Sequence, residues 1–168
     1  MKNKDFMREI VAGRVSAPTT RNRSGYKECF NVLYDGEHVY SYGGHYPLLI
    51  QLETENGPRW ILNDRGYSSS TGRHISHARG LEDAAVQMPR GGSTYAEDIK
   101  AAAAAEIVEQ LAHIEACREK IAKRPHHARV YEQSIERTED RMQNLHRVIS
   151  ICDDAQAYAA ANRADRAA

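Results

Sequence analysis

Apolar and polar positions follow two periods along the chain, and the change falls near Pro89-Arg90-Gly91-Gly92. Upstream, short apolar runs are separated by Gly, Asn and Asp, as expected of strands and turns. The spacing predicts a strand over 29–34, a hairpin turn at Asp35-Gly36, and a partner strand over 38–42. Alternation puts Val39 and Ser41 on one face of that partner and His38, Tyr40 and Tyr42 on the other. Gly43-Gly44 ends the run. A third strand over 46–52 tolerates Pro47 near its start, Glu55-Asn56-Gly57-Pro58 makes a turn, and 59–63 is a fourth strand. The expected sheet is a small antiparallel meander. Residues 67–88 keep no single period, although Ser70 or Thr71 could cap a helix running through His74, His77 and Leu81. A short helix is expected over 5–11 and a loop over 18–25.

Downstream of Gly92 there is no glycine, and the pattern is helical throughout. Thr94 and Glu97 have the spacing of a capping box. Ile107, Leu111, Ile114 and Ile121 form an apolar seam, which Pro125 ends. Beyond it, Tyr131, Ile135, Thr138, Met142, Leu145, Ile149 and Cys152 alternate by four and three, a 3.5-residue period like that of a coiled coil. Two such helices with a short link fold back as an antiparallel hairpin with arms of roughly 45–50 Å. Arms of that length outrun a small sheet, so the hairpin should project or pack on another copy or a partner. The reading is α+β: a basic N-terminal arm over 1–27, a small antiparallel sheet domain with a short helix over 28–92, and a long, coiled-coil-like helical hairpin over 93–168.

Composition narrows the function. With 168 residues, the chain is one domain or one with an appendage. Lys and Arg together number 23 and so do Asp and Glu, so a uniformly basic nucleic-acid binder is excluded. The basic arm is a local exception. No apolar run approaches the roughly 18 residues of a membrane span, and Met1-Lys2-Asn3-Lys4-Asp5 leads into no export signal. Cys29, Cys117 and Cys152 are an odd, widely spaced set, which fits reduced thiols in a cytosol.

The stretch Val39-Tyr-Ser-Tyr-Gly-Gly-His-Tyr-Pro-Leu48, then Trp60-Ile-Leu-Asn63, then Tyr67-Ser-Ser-Ser-Thr-Gly-Arg-His74, resembles a small domain of uncharacterised phage and mobile-element proteins. That pattern reads Tyr-Ser-Tyr-Gly-x-His-Phe-Pro, an apolar strand ending in Asn, then Tyr-Ser-x-Thr and a His. Here Tyr46 stands where Phe is usual, and Ser70-Thr71 is in slightly different register. The likeness stops short of the hairpin. It implies a phage-borne accessory protein, including one that disables a host defence complex of the CRISPR type, and it implies no particular chemistry.

Candidate chemistry gathers at His45, Asn63, Asp64, Tyr67, Ser68, Ser70, Thr71, His74 and His77, which a meander can bring to one end. A small hydrolase or nuclease would use His45 or His74 as base for Ser70 or a neighbouring hydroxyl or carboxylate. No nucleophile-elbow motif supports this, and hydroxyls beside turns more often satisfy backbone groups. His74-x-x-His77 could share a metal with His45 or Asp64, but no Cys or His-Glu-x-x-His motif accompanies it, so no metal or cofactor is expected. A nucleic-acid module would stack bases on Tyr40, Tyr42, Tyr46 and Trp60, with Arg59, Arg65, Arg73, Arg79 and the basic arm on phosphates. The leading expectation is a non-enzymatic protein of the host cytosol that binds a host protein or nucleoprotein complex. Its binding residues would be Tyr42, His45, Tyr46, Asn63, Tyr67, Arg73 and His74 on the sheet domain, with Arg118 and Arg124 on the charged hairpin. Alanine-rich faces at 101–105 and 155–161 offer a homodimer contact.

Overall fold

The computed structural model describes residues 2–15, 27–29, 31–42, 45–66, 68–89 and 91–167. The expected loop over 18–25, the Gly43-Gly44 break and Tyr67 lie outside them. Six strands form one sheet in chain order: β1 (Lys27–Cys29), β2 (Val32–Tyr34), β3 (His38–Ser41), β4 (Pro47–Thr54), β5 (Gly57–Asn63) and β6 (Ala84–Val86). β1 to β5 are the expected antiparallel meander. The sixth strand comes from the segment without a clear period, and it pairs parallel to β5 after a crossover through helix α2 (Ser69–Ala78).

Local chemistry explains where the expected strands shift. The run over 29–34 is not one strand, because Asn31 takes a φ of 67° and Cys29 pairs with Val32 across a tight turn. Asparagine enters this left-handed region more readily than most residues. At the next turn, Asp35 Oδ1 accepts the backbone N–H groups of Glu37 and His38 at 2.9 and 2.7 Å, so the aspartate side chain mimics a turn of backbone. The cap of α2 is neither Ser70 nor Thr71 but Ser68, whose hydroxyl accepts the Thr71 N–H at 3.1 Å.

Both faces of the sheet are covered. Helix α1 (Asn3–Val11) and α2 pack Phe6, Met7, Ile10 and Ile75 against Val39, Leu49, Trp60 and Leu62. On the other face, Ile50, Leu52, Ile61, Val86 and Met88 meet Ile99, Ala103, Leu145, Val148 and Cys152 of the hairpin. Leu48-Leu49-Ile50 and Trp60-Ile61-Leu62 are therefore continuous apolar runs because their strands are buried on both sides.

The hairpin is α3 (Ala96–Lys123) and α4 (Ala128–Ala167), joined by one 3₁₀ turn at Pro125–His127. The capping box does not form. Tyr95 is the N-cap and makes no side-chain cap bond, while Ser93 Oγ accepts the Tyr95 N–H at 3.2 Å and donates to Asp98 at 2.7 Å. The start of α3 and the middle of α4 form a base that packs on the sheet. Beyond Ile107 the two helices pack on each other, burying Ile114, Cys117 and Thr138, and α3 runs on for about 24 Å. Leu111, expected in the seam, is 48% exposed. Among the described residues, no helix is long and apolar enough to cross a membrane.

Polar groups pin the base in register. Arg141 of α4 spans two carboxylates, holding Asp64 through Nη1 and Nη2 at 2.9 and 3.0 Å and Glu106 through Nε and Nη2 at 2.7 and 3.1 Å. Glu106 also accepts the Gln87 N–H at 3.1 Å. Burial works against the Arg141 charge, but its hydrogen bonds to Glu106 and Asp64 outweigh this and raise its pKa above the ordinary arginine value. Nearby, Asn144 uses both ends of its amide on the backbone of Ala85, donating to its carbonyl and accepting its N–H at 3.1 Å. The outer edge of β6 is thereby closed to another strand.

Candidate functional site

At the end of the sheet where β3 stops and β4 begins, a cavity of about 710 Å³ opens. Tyr42, His45 and Tyr46 form one side, Ser68, Ser70 and Thr71 at the start of α2 another, and Arg65, Pro89 and Gly91 the rest, with Ser41 at its floor. Gly92 stands behind this wall with a φ of 64°, and a Cβ there would lie 2.6 Å from Pro47. No other residue type suits both constraints.

The expected cluster is brought together only in part. His45, Tyr46, Ser68, Ser70 and Thr71 line the cavity. Asn63 is fully buried beneath it as a structural bracket: its Nδ2 donates to Pro47 O at 3.1 Å, and its Oδ1 accepts the N–H groups of Met88 at 3.2 Å and Arg65 at 3.3 Å. Asp64 is turned away into the Arg141 pair. The Tyr46 hydroxyl is shared between the carbonyls of Asn63 and Arg65. Burial, with help from Asp64, pushes its pKa up to about 12, so Tyr46 stays protonated. Arg73 is exposed on α2, while Arg118 and Arg124 lie far off on the hairpin, Arg118 pairing with Glu115 at 2.8 Å.

His74 is 6% exposed and is held at both ring nitrogens. Ser41 Oγ lies 2.8 Å from Nδ1, and Asn3 Nδ2 of α1 lies 3.2 Å from Nε2. The hydroxyl that meets His74 is thus Ser41 rather than Ser70. Alternation along β3 put Ser41 on the same face as Val39, which the structure buries, but nothing local announced Asn3. Both ring nitrogens are therefore engaged, one as donor and the other as acceptor according to the tautomer. Burial, then His77 and Arg73, lower the His74 pKa and keep the ring neutral. The arrangement ties β3, α1 and α2 together through buried polar groups.

The same bonds leave His74 no lone pair for a metal beside His77. Among the described residues, no group of three His, Cys, Asp or Glu side chains is placed to hold a metal ion. The aromatic residues also part company. Trp60 is 5% exposed in the core, and Tyr40 donates to Asp35 at 3.0 Å beside a different groove. Tyr42 lines the cavity and is 44% exposed. Its ring stacks on His74 with centroids 5.4 Å apart and planes at 26°. Its backbone φ is 55°, held by its N–H to Asn31 O at 2.8 Å. Such a conformation is strained for a bulky residue. No protein-family model, no curated protein and no solved structure matches the chain.

Proposed function

We propose that this chain is a non-enzymatic binding protein that docks on a larger macromolecular assembly through the outer half of its hairpin. The observation that supports this most is the overhang itself. Beyond Ile107 the two helices leave the sheet, and Val108, Leu111 and Val130 are exposed there amid mixed charge. A limb of that kind adds nothing to the sheet's core and offers apolar anchors with charges that select a partner. The placement of His74 supports binding over catalysis, because the buried imidazole is engaged in holding α1, α2 and β3 together. The likeness of segment 39–74 to phage and mobile-element domains supports a host-cell assembly as the target, a defence complex among the choices, met in the host cytosol. A homodimer contact is the narrower proposal. Ala102, Ala103 and Ala155 are buried in the chain's own core, which leaves the exposed Ala101, Ala104 and Ala105 for a second copy.

The test compares the full chain with a form carrying Arg118→Glu and Arg124→Glu, both as bait in nuclease-treated bacterial lysate, alongside the solution mass of each. Recovery of one complex at fixed stoichiometry by the native chain, and its loss with the double variant, is expected. Equal recovery by both forms, or none by the native chain, would overturn the reading.

A further inference from the structure

The cavity has its own chemistry, which the docking reading does not use. About 710 Å³ is the size of a site for a small organic ligand. Among the described residues its lining holds no carboxylate. Arg65 is fixed by donating from Nη1 to Met88 O at 3.1 Å, and among the described residues no acidic side chain pairs with it. His45 and the Ser70 hydroxyl add two more groups able to donate to an anion. The same cavity presents the Tyr42 ring, 44% exposed, backed by His74 and fixed by a costly backbone conformation. A rigid ring with one face covered and one open is built to be stacked upon.

We infer that the cavity binds a nucleoside phosphate, with the base on Tyr42 and the phosphate at Arg65 and Ser70. One flat aromatic face and one cationic side specify a ligand that is planar at one end and anionic at the other. Among the described aromatic residues, Trp60 is buried, Tyr40 lies elsewhere and Tyr46 is tied by its hydroxyl to the Asn63 and Arg65 carbonyls, so the site suits a single nucleotide rather than an extended strand. Two sources carry that chemistry: a free mononucleotide, or the phosphorylated end of a single-stranded nucleic acid.

Titration calorimetry on the full chain with adenosine 5′-monophosphate, adenosine, inorganic phosphate and a short 5′-phosphorylated single-stranded oligonucleotide tests this. Saturable binding of the monophosphate is expected, tighter than that of adenosine or phosphate alone. Tyr42→Ala and Arg65→Gln should each weaken it roughly tenfold. Tyr42→Phe keeps the ring and should leave affinity within about twofold, which separates lost stacking from lost folding. Amide chemical-shift changes should map to lining residues such as Tyr42, His45, Arg65, Ser70 and Gly91 rather than to the hairpin. A phosphorylated oligonucleotide that binds more tightly than the monophosphate, and more tightly than its unphosphorylated form, assigns the site to a strand end; the reverse order assigns it to the free nucleotide. No saturable binding of either nucleotide probe overturns the proposal. So does adenosine or phosphate binding as tightly as the monophosphate, or affinity unchanged in Tyr42→Ala and Arg65→Gln. None of these outcomes bears on the lysate experiment, whose variants lie on the hairpin.

Discussion

The two halves of the hairpin are made from the same two helices yet are held by different means. At the base, Leu145, Val148 and Cys152 of α4 have no exposed surface, because a sheet lies beneath them. In the outer half each helix has only the other, and burial thins to Ile114, Cys117 and Thr138. A coiled-coil period tells which residues face the partner helix, but a third layer decides whether that face becomes a core. The base therefore belongs to the fold, and the outer half is left available for function.

The sharpest way to break this distinction is Arg141→Ala, which leaves the buried Glu106 and the largely buried Asp64 without their cation. Removing one partner from such a group costs about 3–5 kcal/mol, and urea unfolding should show most of that. Replacing all three together with Met, Asn and Gln should recover much of the loss, because no uncompensated charge remains. Next is Leu145→Ala, a cavity in the base that should cost about 2–5 kcal/mol, against a change within about 0.5 kcal/mol for Val130→Ala on the outer half. Equal losses at the two sites would mean that the halves are one cooperative layer.

How much of this was legible from sequence follows the same division. The 3.5-residue period correctly marks Thr138, Leu145 and Cys152 as inward, since they answer to a helix close in sequence. It misses Leu111, because a straight α-helix drifts relative to a strict heptad and the α3 seam settles on Ile114 and Cys117. Alternation placed Val39 and Ser41 on one face, which the structure buries, yet which histidine Ser41 meets depends on how α1 and α2 lie on the sheet. In sequence Arg141 is one charge among many on the hairpin. Its role is set by Asp64 at the end of β5, a placement that no local pattern encodes. The continuous run Leu48-Leu49-Ile50 was the available signal that the sheet is covered on both faces and that part of the hairpin must lie on it.

Acidity gives a smaller effect that belongs to the sheet side. Burial lowers the pKa of both His74 and His38 below the ordinary value. The unfolded chain, with histidines near 6.5, then takes up protons first as pH falls. Stability should be fully present above about pH 6.5 and decline below it until the folded pKa is passed, by at most about 1.4 kcal/mol per pH unit for each histidine. His74→Gln should reduce the slope between pH 7.5 and 5.5 in urea melts without abolishing it, since His38 remains. Smallest of all, Arg118→Glu should move stability by no more than about 0.5 kcal/mol while removing partner capture; a large loss of stability would show that the outer half is structural after all.

Each half of the hairpin carries its own buried thiol. Cys117 lies 2% exposed between the outer helices, and Cys152 lies fully enclosed in the base, where burial pushes its pKa up to about 12. A thiolate is the reactive form, so neither should be alkylated until the packing around it opens. In a chain with Cys29→Ser, labelling followed by mass spectrometry becomes a pair of clocks, one for the limb and one for its root. The limb's clock should run ahead, by fraying that never reaches the sheet. A partner seated on the limb would slow that clock while leaving the other untouched.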